Sequence, residues 1–213
     1  VPLKLDLPAP ITMSVDFGGT THVTYAADPA RQPGMGYSSS TSVRVRVSYD
    51  DGSQSYRQDH ALMRLSVVGG HSACASMSGS TLVLSNSGAC SEIEVSAEFG
   101  GVTGSGAVAV VKYMGARVSF RSYPTAEGEL TSDPVQLRKV ECTSVFERLT
   151  ARMEVDVGTG QTFTTLLRTH DVTSRSTFVS DDQVGMAVTG TTCAPVTAGT
   201  YTLTGVYNHD GSV

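Results

Sequence analysis

The sequence predicts an all-β chain built as two antiparallel sandwiches in tandem. Three observations carry this reading. Apolar residues recur at every second position along most of the chain. The alternating runs are short and close on glycine or aspartate turns. No stretch of a dozen residues sustains a 3.6-residue period.

Taken in order, His22-Val23-Thr24-Tyr25 reads as a first short strand. Val43, Val45, Val47 and Tyr49 then alternate with Arg44, Arg46, Ser48 and Asp50 before the turn pair Asp51-Gly52. Ile93, Val95, Ala97 and Phe99 alternate with Glu92, Glu94, Ser96 and Glu98 before Gly100-Gly101. Each pattern places one apolar face on a core and one charged face in water. Gly69-Gly70 and Gly104-Ser105-Gly106 read as further turns, and Ala107–Val111 as a strand running almost directly into Arg117–Phe120. Val140–Arg152 comes nearest to a helix, but Cys142-Thr143-Ser144-Val145 weakens it. Met153, Val155 and Val157 form another alternating strand, closing on Gly158-Thr159-Gly160. Val184–Val188 and Ala198–Tyr207 complete the series.

Landmarks recur in the same order. His22-Val23-Thr24-Tyr25 to Pro29 lies over Arg117-Val118-Ser119-Phe120 to Pro124, Val43–Gly52 over Ala151–Gly160, and Cys90–Phe99 over Cys193–Tyr207. The repeat places a first domain at 1–112 and a second at 113–213, joined near Val111–Gly115. So short a junction predicts a restricted angle between neighbours. The opening residues are expected to belong to a preceding module. The closing Asn208-His209-Asp210-Gly211-Ser212-Val213 reads as a turn into a following one, so the chain is expected to be a piece of a longer protein.

Composition narrows the function. Charged residues make up only 16% of the 213, with a net charge of −5. A negative surface repels phosphate, which argues against nucleic acid as a partner. The hydrophobic share of 39% is enough to build a core, which argues against a disordered chain. No run of 18 apolar residues occurs, so no membrane-spanning helix is expected. Neither Asn86 nor Asn208 opens an N-glycosylation sequon; outward Ser and Thr could carry O-linked sugars.

The four cysteines are Cys74, Cys90, Cys142 and Cys193. None has the spacing of a zinc site, and an even number in a Ser/Thr-rich β chain suits disulfides in an oxidising compartment. Pairing within each domain is the simplest connectivity, giving 74–90 and 142–193. The chain-entropy model assigns them about 3 and about 4 kcal/mol respectively. The alternative is four buried free thiols.

No catalytic constellation is present. His22, His60, His71, His170 and His209 are scattered, and in Asp59-His60 and His170-Asp171 adjacent strand residues face opposite ways. No Gly-x-Ser-x-Gly elbow and no phosphate-binding loop occurs. Asp50-Asp51 and Asp181-Asp182, with Asp210, are the only candidates for calcium, and none lies in an alternating acidic ladder, so they read as solvated turn carboxylates. The expectation is no enzyme, no metal and no cofactor. Among the tyrosines that could meet a glycan, Tyr25 and Tyr49 fit inward positions, Tyr56, Tyr113 and Tyr123 are further candidates, and Tyr37 in Gly34–Ser40 is the best contact.

Two segments carry a family resemblance. Ala198-Gly199-Thr200-Tyr201-Thr202-Leu203-Thr204-Gly205-Val206-Tyr207 resembles the last strand of bacterial-immunoglobulin-like (BIG-type) domains. Val45-Arg46-Val47-Ser48-Tyr49-Asp50-Asp51-Gly52-Ser53 resembles their strand–Asp-Gly–strand hairpin. Such domains stack in invasin- and intimin-like surface proteins and in flagellar-surface and mastigoneme proteins. The cysteines, the extra residues before Ala151 and the absence of tryptophan depart from the pattern of the family or of antibody domains. The resemblance implies two tandem immunoglobulin-like domains of an extracellular or cell-surface protein, with a lumenal compartment the other possibility. It also implies a non-catalytic, rigid structural module of a filament, stalk or appendage. Its expected partners are neighbouring domains of the same protein, its own copies or other surface proteins. The alternative is an adhesin whose loops bind a receptor or glycan.

Overall fold

The computed structural model describes residues 7–31, 35–123, 135–160, 163 and 165–208. Pro124, His209 and Asp210, which enter the sequence reading, lie outside the described residues. The fold is all-β and sandwich-like, with mostly antiparallel sheets. The chain forms two compact units. One is Val1–Tyr113 with Gly158–Leu166, and the other Met114–Val157 with Leu167–Val213. Gly158–Leu166 thus belongs with the first unit although it follows it by more than forty residues.

In the first unit, β1 (Pro10–Asp16) pairs antiparallel with β4 (Arg44–Tyr49), which pairs with β5 (Gln54–Tyr56) across the Asp51-Gly52 turn. β3 (Ser40–Ser42), separated from β4 by Val43 alone, pairs with β8 (Thr81–Leu84), and β8 with β7 (Ala75–Ser78). The other layer is β6 (Arg64–Val67), β9 (Glu92–Phe99) and the first half of β10 (Val102–Ser122). β2 (His22–Thr24) joins β10 in parallel, with Val23 opposite Val110. The alternation seen in the sequence is the inward set: Val43, Val45, Val47, Ile93, Val95 and Ala97 pack into one core with Val23, Tyr25, Leu82, Val108 and Val110.

Gly104 and Gly106 are not in a turn, as their sequence suggested, but inside β10, opposite Ala97 and Val95. The backbone of β1 crosses directly over them. A Cβ on either glycine would fall within contact distance of the Met13 or Val15 carbonyl oxygen, so only glycine admits β1 this closely. The true hairpin turn before β10 is Gly100-Gly101, both at positive φ.

In the second unit, β11 (Leu149–Thr159) is central. It has β10 on one side and β15 (Thr192–Pro195) on the other, with β14 (Met186–Thr189) beyond β15, and β12 (Thr165–Asp171) also pairs β11. β13 (Ser176–Ser180) pairs antiparallel with β16 (Leu203–Tyr207) in a separate two-stranded sheet. Ala151, Met153, Val155 and Val157 face inward from β11, with Val172, Phe178 and Met186. The stretch before β11 is not helical; Lys139 and Phe146 form an isolated bridge around an exposed turn.

The two units share a pairing scheme. β1·β4, β4·β5, β3·β8, β7·β8 and β6·β9 in the first have counterparts in β10·β11, β11·β12, β11·β15, β14·β15 and β13·β16. The pairing of β9 with the first half of β10 and the parallel pairing of β2 with β10 have no counterpart among the described residues.

Candidate functional site

Cys74 and Cys90 are joined, tying the start of β7 to the segment entering β9. The expected second bridge does not form: Cys142 and Cys193 are free thiols. Cys142 sits at positive φ in the exposed turn before β11, whereas Cys193 lies on β15 opposite Leu149, inside the second core. The loop that carries Cys142 stays outside while the strand that carries Cys193 faces in. Burial pushes the Cys193 thiol up to about 11, which leaves it protonated and inert at neutral pH.

The disulfide is one part of a small buried assembly. Tyr25, at the end of β2, is sealed, and its hydroxyl donates to the Cys90 carbonyl at 3.0 Å. Gly88 runs so close to the Tyr25 ring that an added Cβ would collide with it. The Lys112 ammonium lies over both the Tyr25 ring, at 5.1 Å, and the Phe163 ring, at 4.5 Å, and donates to the Gly88 carbonyl. Two ring faces and one carbonyl together hold this side chain in place. Burial raises the Tyr25 phenol above its ordinary pKa.

The remaining polar candidates are each occupied in local structure. His60 stacks edge-on against Phe99, His71 Nδ1 accepts from the Glu94 N–H, and His22 shares a hydrogen bond with Thr21. His170 is buried on β12, where burial, with Arg168 nearby, lowers its pKa. Asp50 accepts from the Ala9 N–H and Asp51 from the Ser53 N–H. Asp181 accepts from the Thr202 N–H, while Asp182 accepts from Val184 and Gly185. These carboxylates close turns. No metal-binding cluster occurs among the described residues. Tyr37 is half-buried rather than displayed, Tyr56 is clasped by the Arg46 guanidinium, and Tyr113 and Tyr123 are exposed.

Sequence reading missed one charge network. Arg117 on β10 reaches Glu154 at 3.0 Å and Asp156 at 3.5 Å; Arg152 reaches Glu154 at 3.3 Å and Asp171 at 2.8 Å. Glu154 is nearly buried, its side chain 10% exposed, so its two arginines serve as counter-ions for an almost water-free carboxylate. The only sequence signal was the polar set Arg152, Glu154, Asp156 on the outer face of one strand.

A shallow hollow of about 310 Å³ in the first unit is lined by Ser40, Thr41, Ser42, Thr81, Phe17 and Arg44. It presents the Arg44 guanidinium and the hydroxyls of its serines and threonines.

No family model matches the chain, and no curated protein was found to match it. No helix among the described residues is long and apolar enough to cross a membrane.

Proposed function

We propose that this chain is a pair of immunoglobulin-like modules of the BIG type. In this reading they serve as a non-catalytic structural repeat of an extracellular filament, stalk or appendage and make protein–protein contacts. The observation that carries the reading is the pairing scheme common to both units. In the letter scheme of immunoglobulin sandwiches, β1, β3/β4, β8 and β7 take the A-B-E-D places, and β6, β9 and β10 the C-F-G places. The second unit repeats the same order with β10, β11, β15 and β14, then β13 and β16. The parallel β2·β10 pair adds a first-strand-to-last-strand contact that locks the sandwich shut.

A pairing scheme shared by most strands of two units in one chain supports a repeated module whose work is shape and contact. The Cys74–Cys90 bridge supports an oxidising, extracellular setting. The interlocked turn carboxylates and clasped aromatic rings support a scaffold that holds one conformation. Electron microscopy of the native assembly from its source tests this reading. Copies packed at a regular repeat along a filament are the expected result. Isolated monomers that bind a receptor or glycan at one tip would replace it with the adhesin reading.

A further inference from the structure

The chain leaves the edge of β4 at Asp16, which stands opposite Arg44 at the end of the β1·β4 ladder, and by His22 it is paired with β10 as β2. Gly18, at positive φ, and the Thr20 N–H bond to the Phe17 carbonyl turn it away. The crossing borders the hollow of about 310 Å³ described above. Ser40, Ser42 and Arg44 line it as exposed alternate residues of β3 and β4, and Thr81 stands opposite Ser42 on β8. Phe17 and Thr41 line it from the buried side, joined by a bond from the Thr41 hydroxyl to the Phe17 carbonyl.

The polar groups that line this hollow are held in place yet unengaged. Arg46, two residues on, bonds to the Tyr56 hydroxyl and lies over its ring, and Arg57 bonds to Tyr49. The Arg44 guanidinium makes no ion pair or hydrogen bond among the described residues. Its cross-strand neighbour Asp16 instead accepts from the Gly18 N–H at 2.9 Å. The guanidinium nonetheless has a fixed bed. A Cβ on Gly18 would fall 3.3 Å from its Nε, so the bare backbone of this residue lies against it. The hydroxyls of Thr20, Ser40, Ser42 and Thr81 likewise meet no partner among the described residues, whereas those of Thr24 and Thr41 bond to backbone carbonyls.

These groups select a chemistry. A positioned, unpaired guanidinium receives a carboxylate through two parallel N–H bonds. Each serine or threonine hydroxyl both donates and accepts, as do the ring hydroxyls of a sugar. Phe17, the one apolar residue lining the hollow among those described, is sealed, so there is no pocket to anchor an apolar peptide side chain. One lining cation in a chain of net charge −5 is too little for a nucleic acid. The volume lies at the small end of ligand sites, about 300–1,000 Å³, which suits a single sugar residue of a longer glycan.

We propose that this hollow binds a carboxylate-bearing saccharide, a uronic acid residue within a glycan chain. The Arg44 guanidinium holds the carboxylate, and the hydroxyls of Ser42, Thr81 and Thr20 hold the ring oxygens. The site adds a ligand to the structural role and does not depend on it.

The test is titration of the intact protein with a galacturonate oligomer, followed by NMR at the Arg44 Nε–H and the Ser42 and Thr81 amides. Saturable shifts at these groups are expected. Arg44→Gln is expected to weaken binding at least about tenfold without lowering the melting temperature, whereas Arg46→Gln, outward on the same strand, leaves the affinity unchanged. The methyl ester of the oligomer, which keeps the hydroxyls and loses the charge, is expected to bind the wild type at least about tenfold more weakly. That measurement needs no variant to fold. Absence of saturable shifts at the hollow would overturn the proposal, as would full affinity in Arg44→Gln or for the ester. Equal losses in Arg44→Gln and Arg46→Gln would overturn it too, by reducing the binding to general charge. A glutamate oligomer that binds as tightly as the saccharide would assign the hollow to an acidic peptide instead.

Discussion

The hydroxyl of Tyr25 donates to the carbonyl of Cys90 from inside the first core, 3.0 Å away. The residue that receives this bond is also half of the Cys74–Cys90 bridge. One buried ring and one covalent link thus anchor the same point of the chain from two sides. Removing the hydroxyl leaves the Cys90 carbonyl without that donor. Tyr25→Phe is expected to lower the stability of the first unit by about 1–2 kcal/mol in denaturant titration, with no change in m-value.

The disulfide itself should be separable from the second unit. Cys74→Ser with Cys90→Ser is expected to cost about 3 kcal/mol by the chain-entropy model. Calorimetry should show the first unit's transition moving down and the second's staying in place. Non-reducing peptide mapping should recover a 74–90 link and no link between Cys142 and Cys193. Recovery of that second link would contradict the observed placement of the two thiols.

Gly104 and Gly106 should tolerate nothing larger. The obstruction is the β1 backbone and not a movable side-chain tip. Gly106→Val is expected to destabilise the first unit by about 3 kcal/mol, at the upper end for overpacking. Gly101→Ala provides the contrast: nothing lies within 4 Å of its added Cβ, and its cost comes only from positive φ.

The network at Glu154 should be non-additive. Arg117 is half-exposed, so Arg117→Ala alone is expected to cost under about 1 kcal/mol. Removing Arg152 as well strands a nearly buried carboxylate. The double variant is expected to cost at least about 1 kcal/mol more than the two single changes summed. A double-mutant cycle by thermal melts measures the difference.

The second unit should weaken in mild acid through His170. Burial holds its folded pKa below the unfolded value of 6.5, so the unfolded chain binds more protons. The stabilisation is therefore complete above that value and declines as pH falls through the folded pKa. Melts of the wild type should fall between pH 7 and pH 5, while His170→Gln should flatten that interval. Asp171 titrates at lower pH: burial opposes its ionisation, but bonds from Thr173 and the charge of Arg152 outweigh it and hold its pKa low.

Much of the architecture was legible because inward positions on β4, β9 and β11 announce themselves by alternation. Tyr25 was placed correctly in the core by that rule alone. The failures share a cause. Gly104-Ser105-Gly106 resembles a turn because glycine permits both a turn and a close backbone crossing, and only the position of β1 decides which. The Cys142–Cys193 pairing failed because cysteine spacing carries no information about which side of a strand or loop each thiol faces. The counter-ions of Glu154 come from two different strands, and the sequence does not say that β10 lies beside β11.

The parallel pair of β2 with β10 has a consequence for biosynthesis. Thr24 donates to the Val111 carbonyl, 87 positions further along the chain, and Lys112 meets Phe163 beyond that. A chain emerging from the ribosome cannot close this sandwich until β10 has followed β2 out. β2 must wait as an unpaired strand until β10 arrives, and the Lys112 clasp until Phe163 follows it. During that interval the nascent chain presents bare strand edges, which makes its early life the time when a chaperone would be most needed.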